Sequence, residues 1–339
     1  MNTYKPLWLV LVVLALTNCS SDDSSGTNTE TQRVDITDAV FTNNSGDCST
    51  FAERYFSLVE DIQNTVNFEG NVEVTDSESS CTIAVNGIPN HDFNDQSARF
   101  ATPVREVERI FTVMKTPESA PQATSLSQGF YDAIMLNGVV VDMLSAGCYR
   151  PDDQMADASG NVAIGCTVND AWLIDPLGVE SRFGADANNA HTQPDGTYHY
   201  HGNPNAMFDD NPGDQGSPVI GFAADGFPVF GSYFFDEQTN TVRKAISGYT
   251  LRNGNRPGPD SSDPGGVYDG TYIDDYEFTD AGDLDACNGM TVNGQYGYYI
   301  TDSYPWMIAC HSGTVNNSFS KGMFKTNFEH AHGDHTHEH

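Results

Sequence analysis

The chain has 339 residues, and 15 Lys and Arg against 47 Asp and Glu give a formal net charge of −32. That length suffices for one large domain or two modest ones, with 38% hydrophobic and 11% aromatic residues to build a core. So negative a chain is repelled by phosphate backbones, which excludes a nucleic-acid partner, while it stays soluble and attracts cations. The 31 Gly and 16 Pro point to many turns, as in β-rich and loop-rich folds.

From the amino end, Lys5 precedes a short apolar run over residues 7–16. A bilayer crossing needs about 20 apolar residues, so residues 1–18 read as a signal peptide rather than a membrane span. Leu16-Thr17-Asn18-Cys19 resembles a bacterial lipoprotein cleavage box, with Cys19 as the lipid-bearing residue. Asn18 departs from the small residue usual before that cysteine. The Ser20-Ser21-Asp22-Asp23 run is similar to the surface-export tag of Bacteroidetes lipoproteins. Residues 19–33 offer almost nothing to bury and read as a flexible tether. The expected location is the cell envelope, with the protein lipid-anchored to the outer membrane, exposed at the surface, and touching membrane through that anchor alone.

Thr50-Phe51-Ala52-Glu53 has the form of a capping box and predicts a short helix running through Ile62. Residues 71–75 and 81–86 then alternate polar and apolar side chains, as strands do. Residues 133–141 read as a strand, an Asn137-Gly138 turn and a second strand. Residues 219–222 and 229–234 form another pair through Asp225-Gly226-Phe227-Pro228. Residues 252–270, rich in Gly, Pro, Asn and Asp, read as an ordered surface loop. No repeat or composition break interrupts residues 34–327. The expected fold class is mainly β: a single antiparallel β-rich domain with long ordered loops, stapled by disulfides, with little helix.

Apart from Cys19, six cysteines remain: Cys48, Cys81, Cys148, Cys166, Cys287 and Cys310. An even number in an oxidising compartment reads as disulfides, and of the 15 pairings the spacing suggests neighbours. No CxxC occurs, so neither a zinc ribbon nor a thioredoxin-type site is supported. Residues 328–339 form a His-rich tail in which His330, His332, His335, His337 and His339 alternate with acids and small residues. Its expected property is loose binding of a transition metal.

The densest chemical feature is Gly196-Thr197-Tyr198-His199-Tyr200-His201-Gly202. On a strand, His199 and His201 share one face with Cα atoms about 6.6 Å apart, and Tyr198 and Tyr200 share the other and pack inward. Two imidazoles at that spacing converge on one metal ion. Further ligands are sought in His191 and His91, while His311, next to Cys310, is a supporting residue. The expected cofactor is one divalent transition metal, copper or zinc.

Tyr198-His199-Tyr200-His201 is the motif from which the YHYH family of bacterial extracytoplasmic proteins takes its name. Asn86-Gly87-Ile88-Pro89-Asn90-His91 resembles that family's upstream NG-I-P-x-H segment, and the stretch from Ile220 to Gly231 resembles its G-x-A-x-D-G-F-P-I-Y-G segment. The resemblance covers residues 81–315 and implies a module without an assigned reaction. Members tend to carry a second Y-H-Y-like segment. Here Tyr296-Gly297-Tyr298 has Gly297 in place of that histidine.

Three functions compete. The first is an envelope protein that binds a metal through the HxH strand. The second is a metal-dependent hydrolase or oxidoreductase with Asp225 or Asp92 as base. The third is a structural or glycan-contacting module with Trp172 and Trp306 exposed; the small-molecule or glycan partner is unknown. His199-Tyr200-His201-Gly202 is similar to the H-W-H-G segment of multicopper oxidases, but those enzymes need several HxH segments and the domain has one. No G-x-S-x-G elbow and no Walker loop is present. Binding stands ahead of catalysis. For the anchor, Cys19→Ala is expected to move the protein from the membrane fraction to the soluble one, measured by fractionation and by mass spectrometry of the amino terminus.

Overall fold

The structure, a computed structural model, describes residues 33–179 and 183–322. The leader, Cys19 and the five tail histidines lie outside the described residues. The first five strands, β1 (Val34–Asp35), β2 (Arg54–Asp61), β3 (Val66–Asp76), β4 (Ser80–Val85) and β5 (Arg109–Met114), form one sheet in chain order. After them come β6 (Ser119–Ser125), β7 (Ala133–Met135), β8 (Val140–Val141), β9 (Cys148–Tyr149), β10 (Asn161–Val162), β11 (Ala190–Thr192) and β12 (Tyr198–Tyr200). The series continues with β13 (Val219–Ala223), β14 (Pro228–Phe230), β15 (Tyr233–Asp236), β16 (Thr241–Lys244), β17 (Tyr249–Leu251) and β18 (Tyr276–Phe278). It ends with β19 (Gly289–Val292), β20 (Gln295–Tyr299) and β21 (Cys310–Gly313). Eight of these make a second sheet in the order β11-β12-β8-β7-β13-β14-β20-β19.

The mainly β reading holds, and among the described residues helical structure is limited to short 3-10 turns. Most neighbours are antiparallel, but β1 with β2, β8 with β12, and β14 with β20 run parallel. The two large sheets share one hydrophobic core. Phe51 meets Phe222 at 5.9 Å between ring centres, Phe93 meets Tyr198 at 5.3 Å, and Phe111 meets Tyr131 at 6.4 Å.

The helix expected from Thr50 to Ile62 does not form. Cys48–Phe51 is a single 3-10 turn capped by Asp47, and Arg54–Asp61 is β2. The reason is the two-residue period: Ser57, Val59 and Asp61 are buried, whereas Leu58 between them is exposed. That alternation matches a sheet face, and β2 pairs with β3 along its whole length. Capping-box chemistry at one end cannot outweigh eight residues of ladder.

Three hairpins of the second sheet share one turn. In each, a tight turn is followed by a glycine with φ near +90°: Gly138 at 91°, Gly196 at 90° and Gly226 at 91°. Met135 N donates to Val139 O, Gln193 N to Thr197 O, and Ala223 N to Phe227 O, at 2.9, 2.9 and 2.8 Å. This three-residue loop ends in the left-handed region that a side chain resists.

The 252–270 stretch is a loop held from inside by an ion pair. Arg256, 8% exposed, donates Nε and Nη2 to Asp275 at 2.6 and 2.5 Å, contacts Asp269, and lies over the Tyr272 ring. The tryptophans do not stand out as a sugar platform. Trp172 is buried with Nε1 donating to Asp263, and half-buried Trp306 donates its Nε1 to Asp175.

The disulfides join Cys48 to Cys81, Cys148 to Cys166 and Cys287 to Cys310, the neighbour pairing that the spacing suggests. Cys148 and Cys166 pack with Val162 and Leu173 in a small cluster away from the main core, where a covalent link supplements a modest apolar contact. Mass spectrometry of the denatured, unreduced protein is expected to find all six cysteines protected from alkylation. Replacing Cys148 and Cys166 by Ser is expected to lower stability by about 3 kcal/mol in urea melts.

Candidate metal centre

The Gln193-Pro194-Asp195-Gly196 turn builds the centre. Asp195 Oδ1 accepts Thr197 N at 2.9 Å, and the turn folds β11 back antiparallel onto β12. A Cβ on Gly196 would lie 2.8 Å from Arg105 Cγ and 3.0 Å from Pro103 O, so the site excludes a side chain on steric as well as dihedral grounds. The register sets His191 directly opposite His199. His201 follows two residues on, its amide donating to Asn189 O at 2.9 Å. All three imidazoles therefore share one face.

Their ring centres form a near-equilateral triangle with sides of 4.6, 4.7 and 4.8 Å. One ligand atom from each lies within 4.8 Å of the others, and His191 Nε2 stands 3.1 Å from His201 Nε2. Nitrogens around one zinc are about 3.3 Å apart, so closing the triangle needs only small side-chain movements.

Their protonation follows from their partners. His191 Nδ1 meets Phe183 O at 2.7 Å and His199 Nδ1 meets Thr197 O at 3.2 Å. A carbonyl only accepts, so both Nδ1 atoms carry the proton and both Nε2 atoms keep a lone pair. His201 must then donate from Nε2 to His191, which leaves its buried Nδ1 without a hydrogen-bond partner among the described residues. His201 could hold a metal through Nε2 only with that proton on Nδ1 instead. Burial depresses all three pKa values. His191 falls below its ordinary value, and His199 and His201 fall well below it, their neighbouring imidazoles adding to the effect. The cluster is neutral near pH 7, the form that ligates.

The opposite face of β12 is structural. Tyr198 Oη donates to Asp186 Oδ2 at 2.8 Å, and Tyr200 Oη lies 2.6 Å from His91 Nε2 and 2.9 Å from Asn137 Nδ2. His91, expected as a ligand, thus stands on the tyrosine side. Its Nδ1 faces Asp92 O at 2.8 Å and its ring packs near both tyrosines. The Asn86–His91 segment serves the motif through Tyr200 rather than through the imidazole cluster.

The two candidate bases are engaged elsewhere. Asp225 Oδ2 accepts Tyr298 Oη at 2.6 Å and Gly313 N at 2.9 Å, tying the β13–β14 turn to β20 and β21. Asp92, exposed, accepts Glu60 N at 2.8 Å. His311, on β21 in a separate two-stranded sheet, is buried with Nε2 on Asp132 O at 3.0 Å. At Gly297 a Cβ would fall 2.5 Å from the Phe230 ring, so that ring fills the place of the histidine expected there.

The same sheet face carries residues that the sequence pattern does not single out. Gln193 lies two after His191, Asp142 flanks His201 in the β8 register, and Asp132 faces Asp142 in the β7 register. Gln193 Nε2 donates to Asp142 Oδ2 at 2.6 Å, and the buried Lys321 ammonium pairs with the same carboxylate. Asp132 Oδ1, Asp142 Oδ1 and His311 Nδ1 are buried without hydrogen-bond partners among the described residues. Burial raises Asp132 to about 6. The imidazoles thus sit beside a polar enclosure in which charges are buried and only partly compensated.

A family model described as YHYH protein matches residues 110–313 of the 339, a span that includes β11, β12 and all three imidazoles. The Asn86–His91 segment lies before it. No curated protein and no solved structure matches the chain.

A pH prediction follows. Below the ordinary histidine value of 6.5, the unfolded chain takes up protons that the folded cluster refuses, so stability is complete above that value and falls as pH drops through it. With chelator present, urea melts from about pH 7.5 to about pH 5.5 are expected to show wild type losing roughly 1.4 kcal/mol more in total than His199→Asn, most of it below the ordinary histidine value of 6.5. The paired comparison cancels the carboxylates.

Proposed function

The chain belongs to the YHYH protein family, and from the three imidazoles gathered by its β11–β12 hairpin we propose that it binds one divalent transition-metal ion, zinc or copper. The ligands are His191, His199 and His201. The observation that carries this reading is the triangle of rings on one sheet face, two of whose Nε2 lone pairs are already free of protons. Imidazole donors suit both metals.

Binding is favoured over turnover. His199 and His201 are each 2% exposed, which suits a held ion better than an entering substrate. The enzymatic reading, a metal-dependent hydrolase or oxidoreductase, draws on the fourth coordination position that three protein ligands leave. The anchored part of the reading rests on the leader, on Cys19, and on cysteines paired as in an oxidising compartment. In that setting the tail histidines collect ions for the domain.

A chain ending at Asn327 keeps the hairpin and loses the five tail histidines. After dialysis it is expected to retain about one zinc or copper, measured by elemental analysis. His191→Ala, His199→Ala and His201→Ala are each expected to abolish that stoichiometry, whereas His91→Ala retains it. A folded, metal-free protein would overturn the reading and leave the tail as the only metal-binding element.

A further inference from the structure

Residues 319–321 run antiparallel to residues 129–131. Tyr131 N donates to Phe319 O at 2.9 Å and Lys321 N donates to Gly129 O at 3.0 Å. That pairing sets the Lys321 side chain beside the Tyr131 ring, its ammonium 5.0 Å from the ring centre, and in contact with Asp142 Oδ2. The two side chains are only 4% and 7% exposed, so both charges have given up their hydration. Such a loss can exceed the attraction between the charges. The Lys–Asp pairs of Lys115 with Asp76 and Lys244 with Asp302 are more open to solvent. Asp142 Oδ2 also accepts Gln193 Nε2 at 2.6 Å, whereas its Oδ1 is buried without a hydrogen-bond partner among the described residues.

A second carboxyl adjoins this pair. Asp132 N donates to Val141 O at 2.8 Å, and Asp132 Oδ2 accepts Met143 N at 2.7 Å, so the side chain lies against the backbone on either side of Asp142. Asp132 Oδ1 is likewise buried without a hydrogen-bond partner among the described residues. Burial raises Asp132 to about 6, and it feels both the Asp142 and the Lys321 charge. A carboxyl tuned in this way both takes up and releases a proton near neutral pH.

We propose that Lys321 and Asp142 condense into an intramolecular amide, an isopeptide bond that ties the end of the domain to the end of β8. Asp132 carries one proton from Lys321 Nζ to Asp142 Oδ1, which leaves a neutral amine beside a neutral acid. The Nζ lone pair then attacks Asp142 Cγ. A second proton follows the same route, the Cγ–Oδ1 bond breaks, and Oδ1 departs as water with both protons. The new Nζ–Cγ bond keeps one hydrogen on nitrogen, Oδ2 becomes the amide oxygen and retains Gln193, and Asp132 ends as it began. Nothing is oxidised or reduced. The reacting groups are already in contact, so no substrate has to enter and one water has to leave. Two buried charges are exchanged for one neutral amide, and the unpartnered Oδ1 is lost. The link spans 179 positions of the chain, resists reductants that open the disulfides, and does not depend on metal.

The full chain, reduced and denatured, is expected to weigh one water less than its sequence from the processed amino terminus, measured by intact mass spectrometry. Trypsin requires a free lysine, so the Lys321-Gly322 bond is expected to stay uncut. The digest is expected to contain one branched peptide that joins the Asp142 segment to the Lys321 segment. Lys321→Arg keeps the positive charge, but its guanidinium does not deprotonate to attack, and this variant is expected at full mass. Water lost instead by ring closure at an Asp-Gly sequence such as Asp195-Gly196 would persist in that variant. Asp132→Asn is expected to slow linkage on the order of 100-fold, read as the linked fraction of freshly made protein. Linkage of that variant at the wild-type rate would overturn the part given to Asp132. Wild type at full mass, absence of the branched peptide, or a dehydrated Lys321→Arg protein would overturn the bond itself. The wild-type measurements decide it even if a variant fails to fold.

Discussion

The centre depends on where two buried tyrosine hydroxyls find their hydrogen bonds. Tyr198 and Tyr200 are fully buried, and a buried hydroxyl without a partner costs more than any single packing contact returns. Asp186 accepts one hydroxyl, while His91 and Asn137 hold the other. These partners come from three separate segments, so they pin β12 in one register. Because side chains alternate along a strand, that register alone sends His199 and His201 to the opposite face together. A slip of one residue would bury the imidazoles among Phe93 and Phe100 and turn the hydroxyls toward Asp142.

On the imidazole side the physics differs. The rings are neutral through burial and mutual proximity, and the hydrogen bonds of His191 and His199 to main-chain carbonyls orient their free nitrogens. His201 has no such orienting bond and spends its Nε2 proton on His191. The cluster is therefore arranged for a metal except for one proton, which a bound cation would have to displace from Nε2. Asp142, Lys321 and Gln193 brace the adjoining strands and place a compensated ion pair beside the rings. Asp142 and Asp175 are both buried, but Asp142 has Lys321, whereas among the described residues Asp175 has only the neutral donors Leu177 N and Trp306 Nε1.

Much of this was legible along the chain. The period-2 pattern of 198–201 places two histidines on one face, the Asn137-Gly138 and Asp225-Gly226 turns mark two hairpins, and close cysteine spacing suggests neighbour disulfides. A third turn signal, Pro194-Asp195-Gly196, is equally local and is the one that sets His191 across from His199. The Thr50–Ile62 segment misleads because a capping box is a signal of three or four residues, whereas its fate depends on pairing with β3, whose residues lie 5 to 19 positions from their partners.

By itself, then, the sequence determined what period and turn chemistry can determine: a mainly β chain, its hairpins, and an HxH strand with tyrosines on the reverse. Short-range sterics suffice for those, since backbone dihedrals and side-chain alternation are properties of adjacent residues. Only the tertiary structure decided that His91 serves Tyr200 rather than the imidazoles, that Phe230 fills the space at Gly297, and that buried Asp175 receives the Trp306 indole N–H. Each of these depends on burial and on distances between segments as far apart as 109 and 131 residues. Desolvation and hydrogen-bond pairing act through space, so no local pattern in the chain encodes them.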